Sequence, residues 1–196
     1  MKEGEIKMPI YKAPQNIDQK DKSLPSVFLA GSIEMDKAVD WQSQCEKELS
    51  ELYNVFNPRR ESWDSSWKQE ASNPQFNEQV NWELNALEQA DIIILFFAGN
   101  TKSPISLLEF GLYAQSGKLK VVCENDFWRK GNVDVVCERY QVKQYKNLNE
   151  LLAHLNQNLK ITESQIKSTS HIIITLGTAW AYRFIETDTI VANCHK

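Results

Sequence analysis

The chain is poor in the signals that would commit it to metal, membrane or polymer chemistry. Its four cysteines, Cys45, Cys123, Cys137 and Cys194, are scattered, with no CxxC and no Cys/His spacing suited to a metal. They read as reduced thiols, and neither a metal nor a cofactor is expected. The longest apolar run, Ile92 to Ala98, is too short to span a bilayer, and the amino terminus has lysines without an apolar segment behind them. The expectation is therefore no membrane, no export and a cytoplasmic location. No block of Lys and Arg interleaves with aromatics, and a net charge of -4 with a pI near 5.5 disfavours a nucleic-acid polymer as partner. GxGxxG after a strand and GxxxxGK(S/T) are both missing, which disfavours dinucleotide and P-loop chemistry. The three histidines offer no hydrolytic triad: His154 lies in a leucine-rich stretch without a clear Ser or Cys partner, and His171 and His195 lie near the carboxyl end.

What is present suits one globular domain with a possible appendage: 196 residues, 42% hydrophobic and 24% charged. A small ligand is the expected partner. Met1 to Leu24 is polar and reads as a loose lead-in, residues 25–160 as the domain and 161–196 as the appendage. Ser26 to Ala30 is a short apolar strand followed by Gly31-Ser32, a turn where backbone can approach a ligand closely. A helix is expected from about Asp36 to Leu52, a strand over Tyr53–Asn57 closed by Pro58, and then a loop carrying Arg59-Arg60, Trp63 and Trp67. Paired arginines beside tryptophans can hold a substrate by hydrogen bonds and stacking, or form a salt-bridged surface turn. Asn73-Pro74 announces a helix over 75–90 in which Glu83 flanks the apolar stripe of Phe76, Val80, Leu84 and Leu87.

Asp91 to Phe97 reads as a buried parallel strand, and a helix follows from near Ser103 or Pro104 until Gly117. In it Ile105, Glu109 and Tyr113 fall four apart, which places one carboxylate in a row that otherwise reads as core-facing. Burying a lone carboxylate is costly, so Glu109 is either a paired structural acid or a working one. Lys118 to Cys123 is the next strand, Val133 to Tyr140 an element of uncertain type, and Asn147 to Leu159 a leucine-rich helix. This alternation predicts an α/β fold: a flavodoxin/Rossmann-like three-layer sandwich with an open, mainly parallel sheet of about five strands. Its ligand crevice lies at the strands' carboxyl ends.

Gly31-Ser32, Arg59-Arg60 and the Ser103 to Glu109 helix start all converge on that crevice, and Glu83 approaches from the preceding helix. Two carboxylates there suit a glycosyl centre, one attacking the anomeric carbon while the other manages protons.

Four ordered motifs carry a resemblance: Phe28-Leu-Ala-Gly-Ser-Ile33, Asn57-Pro-Arg-Arg60, the segment from Glu83 to Asp91, and Leu108-Glu-Phe-Gly-Leu-Tyr-Ala114. Over roughly Val27 to Tyr140 the chain resembles the nucleoside 2-deoxyribosyltransferases and their relatives that hydrolyse deoxynucleoside 5'-phosphates. The resemblance implies Glu109 as the residue that forms a covalent deoxyribosyl intermediate and Glu83 as an assisting acid. It implies Phe28, Gly31, Ser32, Asn57, Arg59, Arg60 and Ser103 around the substrate, a nucleoside or nucleotide, and a homo-oligomer of two or more chains. The chain departs from the transferases in having Ser103 where they have Asp, six residues before the nucleophile. Serine is what the phosphate-accepting hydrolases carry at that position, but Glu34 stands where those carry Arg, and Phe28 where relatives often present Tyr. Transfer, hydrolysis of a 5'-monophosphate, and a non-catalytic nucleotide or nucleoside sensor all remain open.

In the tail, His171–Thr178 and Thr189–Ala192 read as two strands joined by an aromatic-bearing turn, after a polar link over Ile161–Ser170. Ile174 to Trp180 and Val191 to Lys196 resemble an internal piece of the GSCFA family, which is related to GDSL-type esterases. The Gly-Ser-Cys-Phe-Ala segment of that family is absent, so the resemblance implies a fragment without esterase competence.

Overall fold

The computed structural model describes residues 9–33, 40–64, 66–168, 181–184 and 189–193, with the backbone alone at 163, 181–184 and 189–193. Glu34, His171, Cys194 and His195, and the strand expected over His171–Thr178, lie outside the described residues. Contacts divide the chain into two units, Met1–Leu159 and Lys160–Lys196.

In the first unit, strands β1 (Ile10–Lys12), β2 (Ser26–Gly31), β3 (Asn54–Asn57), β4 (Ile92–Phe97), β5 (Leu119–Cys123) and β6 (Lys143–Tyr145) form one sheet in the order β1-β3-β2-β4-β5-β6. Every pairing is parallel. The sheet thus has six strands where the sequence predicted about five. The additional ones are three-residue edge strands, too short to show an alternating pattern. β1 arises inside the polar lead-in, and Asn54 ties that segment down by donating from Nδ2 to the carbonyls of Asp21 and Leu24.

Period-two alternation explains the layers. Phe28, Ala30, Ile93, Leu95, Phe97 and Val121 pack on helices α2 (Pro74–Gln89), α3 (Pro104–Tyr113) and α4 (Lys130–Tyr140). Their neighbours Val27, Leu29, Ile94, Phe96 and Val122 face α1 (Trp41–Leu49) and the first turns of α5 (Leu148–Ser168). A strand covered on both faces has no polar side, which is why β4 reads as an unbroken apolar run.

Helix ends follow local chemistry. Asp40 accepts from the Ser43 amide to start α1, and Asn73 accepts from Gln75 and Phe76 with Pro74 in the first turn of α2. The segment of uncertain type is helix α4. Helix α5 continues to Ser168 through the expected polar link, because Lys160, Gln165 and Lys167 are good helix formers and neither Gly nor Pro interrupts them.

β2 leads through α1 to β3 on one side, whereas β4 leads through α3 to β5 on the other. The direction of connection therefore reverses between the adjacent strands β2 and β4, and a crevice opens at their carboxyl ends. In the second unit β7 (Ala181–Phe184) and β8 (Thr189–Asn193) form an antiparallel pair with a register shift between Tyr182 and Arg183. β8 falls on the predicted strand, while β7 occupies the segment read as a turn. No described helix is long and apolar enough to cross a membrane.

Candidate active site

A cavity of about 480 Å³ occupies the crevice, within the range of roughly 300–1,000 Å³ usual for small-molecule sites. Its wall begins where β2 ends. Gly31 has φ 143, and a Cβ there would collide with the backbone carbonyl and amide of Phe96 on β4. Only glycine permits this close pairing of the two strands, which the Ser32 amide continues by donating to the Phe96 carbonyl at 2.9 Å.

After β4 the chain turns through Thr101 to Ser103, a non-glycine residue held left-handed at φ 44 and ψ 54 just before Pro104 opens α3. A buried ring of hydroxyls supports this strained corner. Ser32 Oγ lies 2.8 Å from Thr101 Oγ1 and 2.6 Å from Ser103 Oγ, and Thr101 Oγ1 lies 2.8 Å from Ser103 Oγ. Thr101 also donates to the Ala98 carbonyl at 2.8 Å. These contacts outnumber the three hydroxyl protons present, so the ring has no spare donor.

Glu109 projects from α3 with only 8% of its surface exposed, and among the described residues no donor hydrogen-bonds its carboxylate. Burial, reinforced by the negative charge of Glu83, pushes its pKa up to about 8. The partial charge of the helix start does not offset this, since the acid sits in the second turn and the effect fades within the first. Of the row containing it, Ile105 and Glu109 face the crevice while Tyr113 packs against the core, a partial correction to the core-facing reading. Ile105 is 60% exposed, and with Leu108 and Leu112 it lines the cavity, while Phe110 and Ala114 take the core positions.

Glu83 enters from α2, half-buried. Its Oε1 accepts from Gln79 Nε2 at 2.8 Å, and the same Nε2 donates to the Pro58 carbonyl at 2.8 Å. Desolvation raises the Glu83 pKa, and the Gln79 hydrogen bond opposes it.

Six of the nine residues predicted around the site line the cavity together: Gly31, Arg59, Arg60, Glu83, Ser103 and Glu109. The arginines are engaged. Arg59 pairs with Asp40 at 2.8 Å in an exposed setting, and Arg60 pairs with Glu78 at 2.8 Å with its guanidinium over the Trp67 ring. The remaining three do not reach the cavity. Phe28 is fully buried in the core against Trp82, Ser32 stands behind Ser103 in the hydroxyl ring, and Asn57 shapes the turn by donating to Glu46 and accepting from the Arg59 amide. Gln79 escaped the sequence reading, although its spacing four before Glu83 is the visible trace of their bond. The apolar wall of Ile33, Phe76, Val80 and Leu84 also belongs to the site.

An open parallel α/β sheet with a cavity at its switch point, lined by the buried Glu109 and the half-buried Glu83, defines the class: an α/β domain with a small-molecule-sized site. Within that class, the chain belongs to the nucleoside 2-deoxyribosyltransferase like family, whose pattern matches residues 24–127, and to the GSCFA family, whose pattern matches residues 98–196. The first match spans every residue predicted at the site. The second begins well before the tail segments that carried the GSCFA resemblance, and the two matches share residues 98–127. No curated protein matches the chain.

Proposed function

We propose that the protein cleaves or exchanges the N-glycosidic bond of nucleosides or deoxynucleosides through a covalent glycosyl ester on Glu109. The observation that carries this reading is a pair of carboxylates in one cavity, Glu109 nearly enclosed and Glu83 beside it, within the segment matched to a family that handles nucleosides. A carboxylate that no described donor solvates is a better nucleophile once ionised, and its raised pKa makes it reluctant to ionise without a nearby acceptor. Glu83 supplies that acceptor.

One proton then serves the cycle. It passes from Glu109 to Glu83, and the freed Glu109 oxygen bonds to C1'. The C1'–N bond breaks, its electron pair stays on the base nitrogen, and Glu83 returns the proton there. Water or a second base next attacks C1' and gives its proton to Glu83, and the ester C–O bond breaks to restore the Glu109 carboxylate. Water completes hydrolysis; a base completes transfer.

The hydroxyl ring favours nucleosides over their 5'-monophosphates. A phosphate cradle would draw on Ser32, Ser103 and Arg59, yet the hydroxyl protons are used within the ring and Arg59 is paired with Asp40. We include a homo-oligomer in the proposal, because Leu84, Ile105, Leu108 and Leu112 leave an exposed apolar rim at the cavity mouth; light scattering on the purified protein checks it. The test of function is base release and base exchange across nucleosides and their 5'-monophosphates, with Glu109→Ala alongside. Free base from wild type and none from the variant supports the reading. Binding without base release on prolonged incubation identifies a sensor instead.

A further inference from the structure

The Gln79 amide is held in a way that neither packing nor its own hydrogen bonding explains. The residue is 4% exposed, and its Oε1 is buried with no hydrogen-bond partner among the described residues. Such an orphan acceptor is costly and rare. Rotating the amide would not relieve it. Nε2 sits between two oxygens, the Pro58 carbonyl and Glu83 Oε1, each at 2.8 Å, and the first of these can only accept. A flip would set Gln79 Oε1 against the Pro58 carbonyl. The amide is therefore locked with its N–H directed at Glu83, and Glu83 Oε1 must be an acceptor.

We propose that Gln79 is a positioning residue that assigns the proton shared by the two acids, keeping Glu83 as the anion and leaving the proton on Glu109 until substrate arrives. The inference deepens the N-glycosidic reading and rests on it for its catalytic meaning, but the proton assignment itself is a property of the free protein. Among the described residues Glu109 has no donor to stabilise its anion, and it lies within the field of Glu83, so a single proton settles there. The other charged or titratable side chains facing the pair, among the described residues, do not reverse this. Arg59 and Arg60 are engaged by Asp40 and Glu78. Tyr113, on α3, stays neutral because burial and the charges of Glu88 and Glu109 raise its pKa. The role follows: Glu83 is kept ready to receive the proton from Glu109 and so to create the nucleophile only when a sugar is in place.

Carbon-detected NMR titration of the glutamate carboxyls in the full chain tests this directly, with Glu83→Gln and Glu109→Gln used for assignment. In the wild type Glu83 should ionise at lower pH than Glu109, and the Gln79 side-chain N–H resonances should move with the Glu83 titration. In Gln79→Met, which fills similar space without a donor, the Glu83 midpoint should rise by about one pH unit and that of Glu109 should fall. If Gln79→Met does not fold, the wild-type N–H titration still decides. Gln79 resonances indifferent to Glu83, or midpoints unchanged in a folded Gln79→Met, overturn the inference. Absence of base release from the wild type would overturn the proposed activity while leaving the titration result standing. If base is released, the acid limb of the wild-type rate profile should move to higher pH in Gln79→Met.

Discussion

Glu109 is the residue at which stability and chemistry conflict. Its ordinary carboxyl pKa of 4.5 is raised to about 8 in the fold, so between these values the folded chain binds a proton that the unfolded chain has released. Folding stability therefore falls as pH rises through that window. Glu109→Gln removes the liability, and we expect it to stabilise the protein by on the order of 2 kcal/mol at pH 8 and by much less at pH 5, measured by urea denaturation at both pH values. The same coupling shapes the rate. In the proposed mechanism the productive pair carries one proton, so kcat/KM for base release should be bell-shaped, with its basic limb near pH 8 where the last proton leaves. A profile flat from pH 6 to 9 would rule out the two-acid scheme. At this scale the sequence was readable for charged residues and less so for neutral ones. Glu109 stands out because a carboxylate in an apolar row demands an explanation, and Glu83 because it flanks an apolar stripe. Phe28 follows a family motif into the core, and Gln79 stays hidden because a buried amide resembles any surface glutamine until its partners are known.

At the scale of elements, the site depends on how tightly β2 approaches β4 and on the corner that opens α3. Gly31→Ala would force a methyl group into the Phe96 backbone, and we expect a loss of about 2–4 kcal/mol, seen as a lowered denaturation midpoint with the slope unchanged. Ser103→Gly should respond differently. It relieves the left-handed backbone at φ 44 but removes one hydroxyl from the buried ring, so the net effect is small, within about 1 kcal/mol. The long elements were legible because two-sided burial writes a continuous apolar strand and Asn73-Pro74 writes a helix start. The edge strands β1 and β6 were not, since three residues carry no period. Helix α5 overran its predicted end because its last turns are set by helix propensity with no apolar stripe, and β7 lay in a segment whose aromatics read as a turn.

For the molecule as a whole, every residue that lines the cavity belongs to the first unit, as do all the strands of the parallel sheet. A chain ending at Leu159 keeps the leucines through which α5 covers the sheet, and it should retain base release within about twofold of the full chain, measured side by side in the same assay. The central claim, a covalent glycosyl ester on Glu109, is tested most directly by incubating the protein with a deoxynucleoside, quenching, and mapping the modified peptide by mass spectrometry. A deoxyribosyl adduct is expected on the peptide containing Glu109 in the wild type, and in Glu109→Gln no adduct, with base release lowered by about 10³-fold or more. Base release undiminished in Glu109→Gln would contradict it.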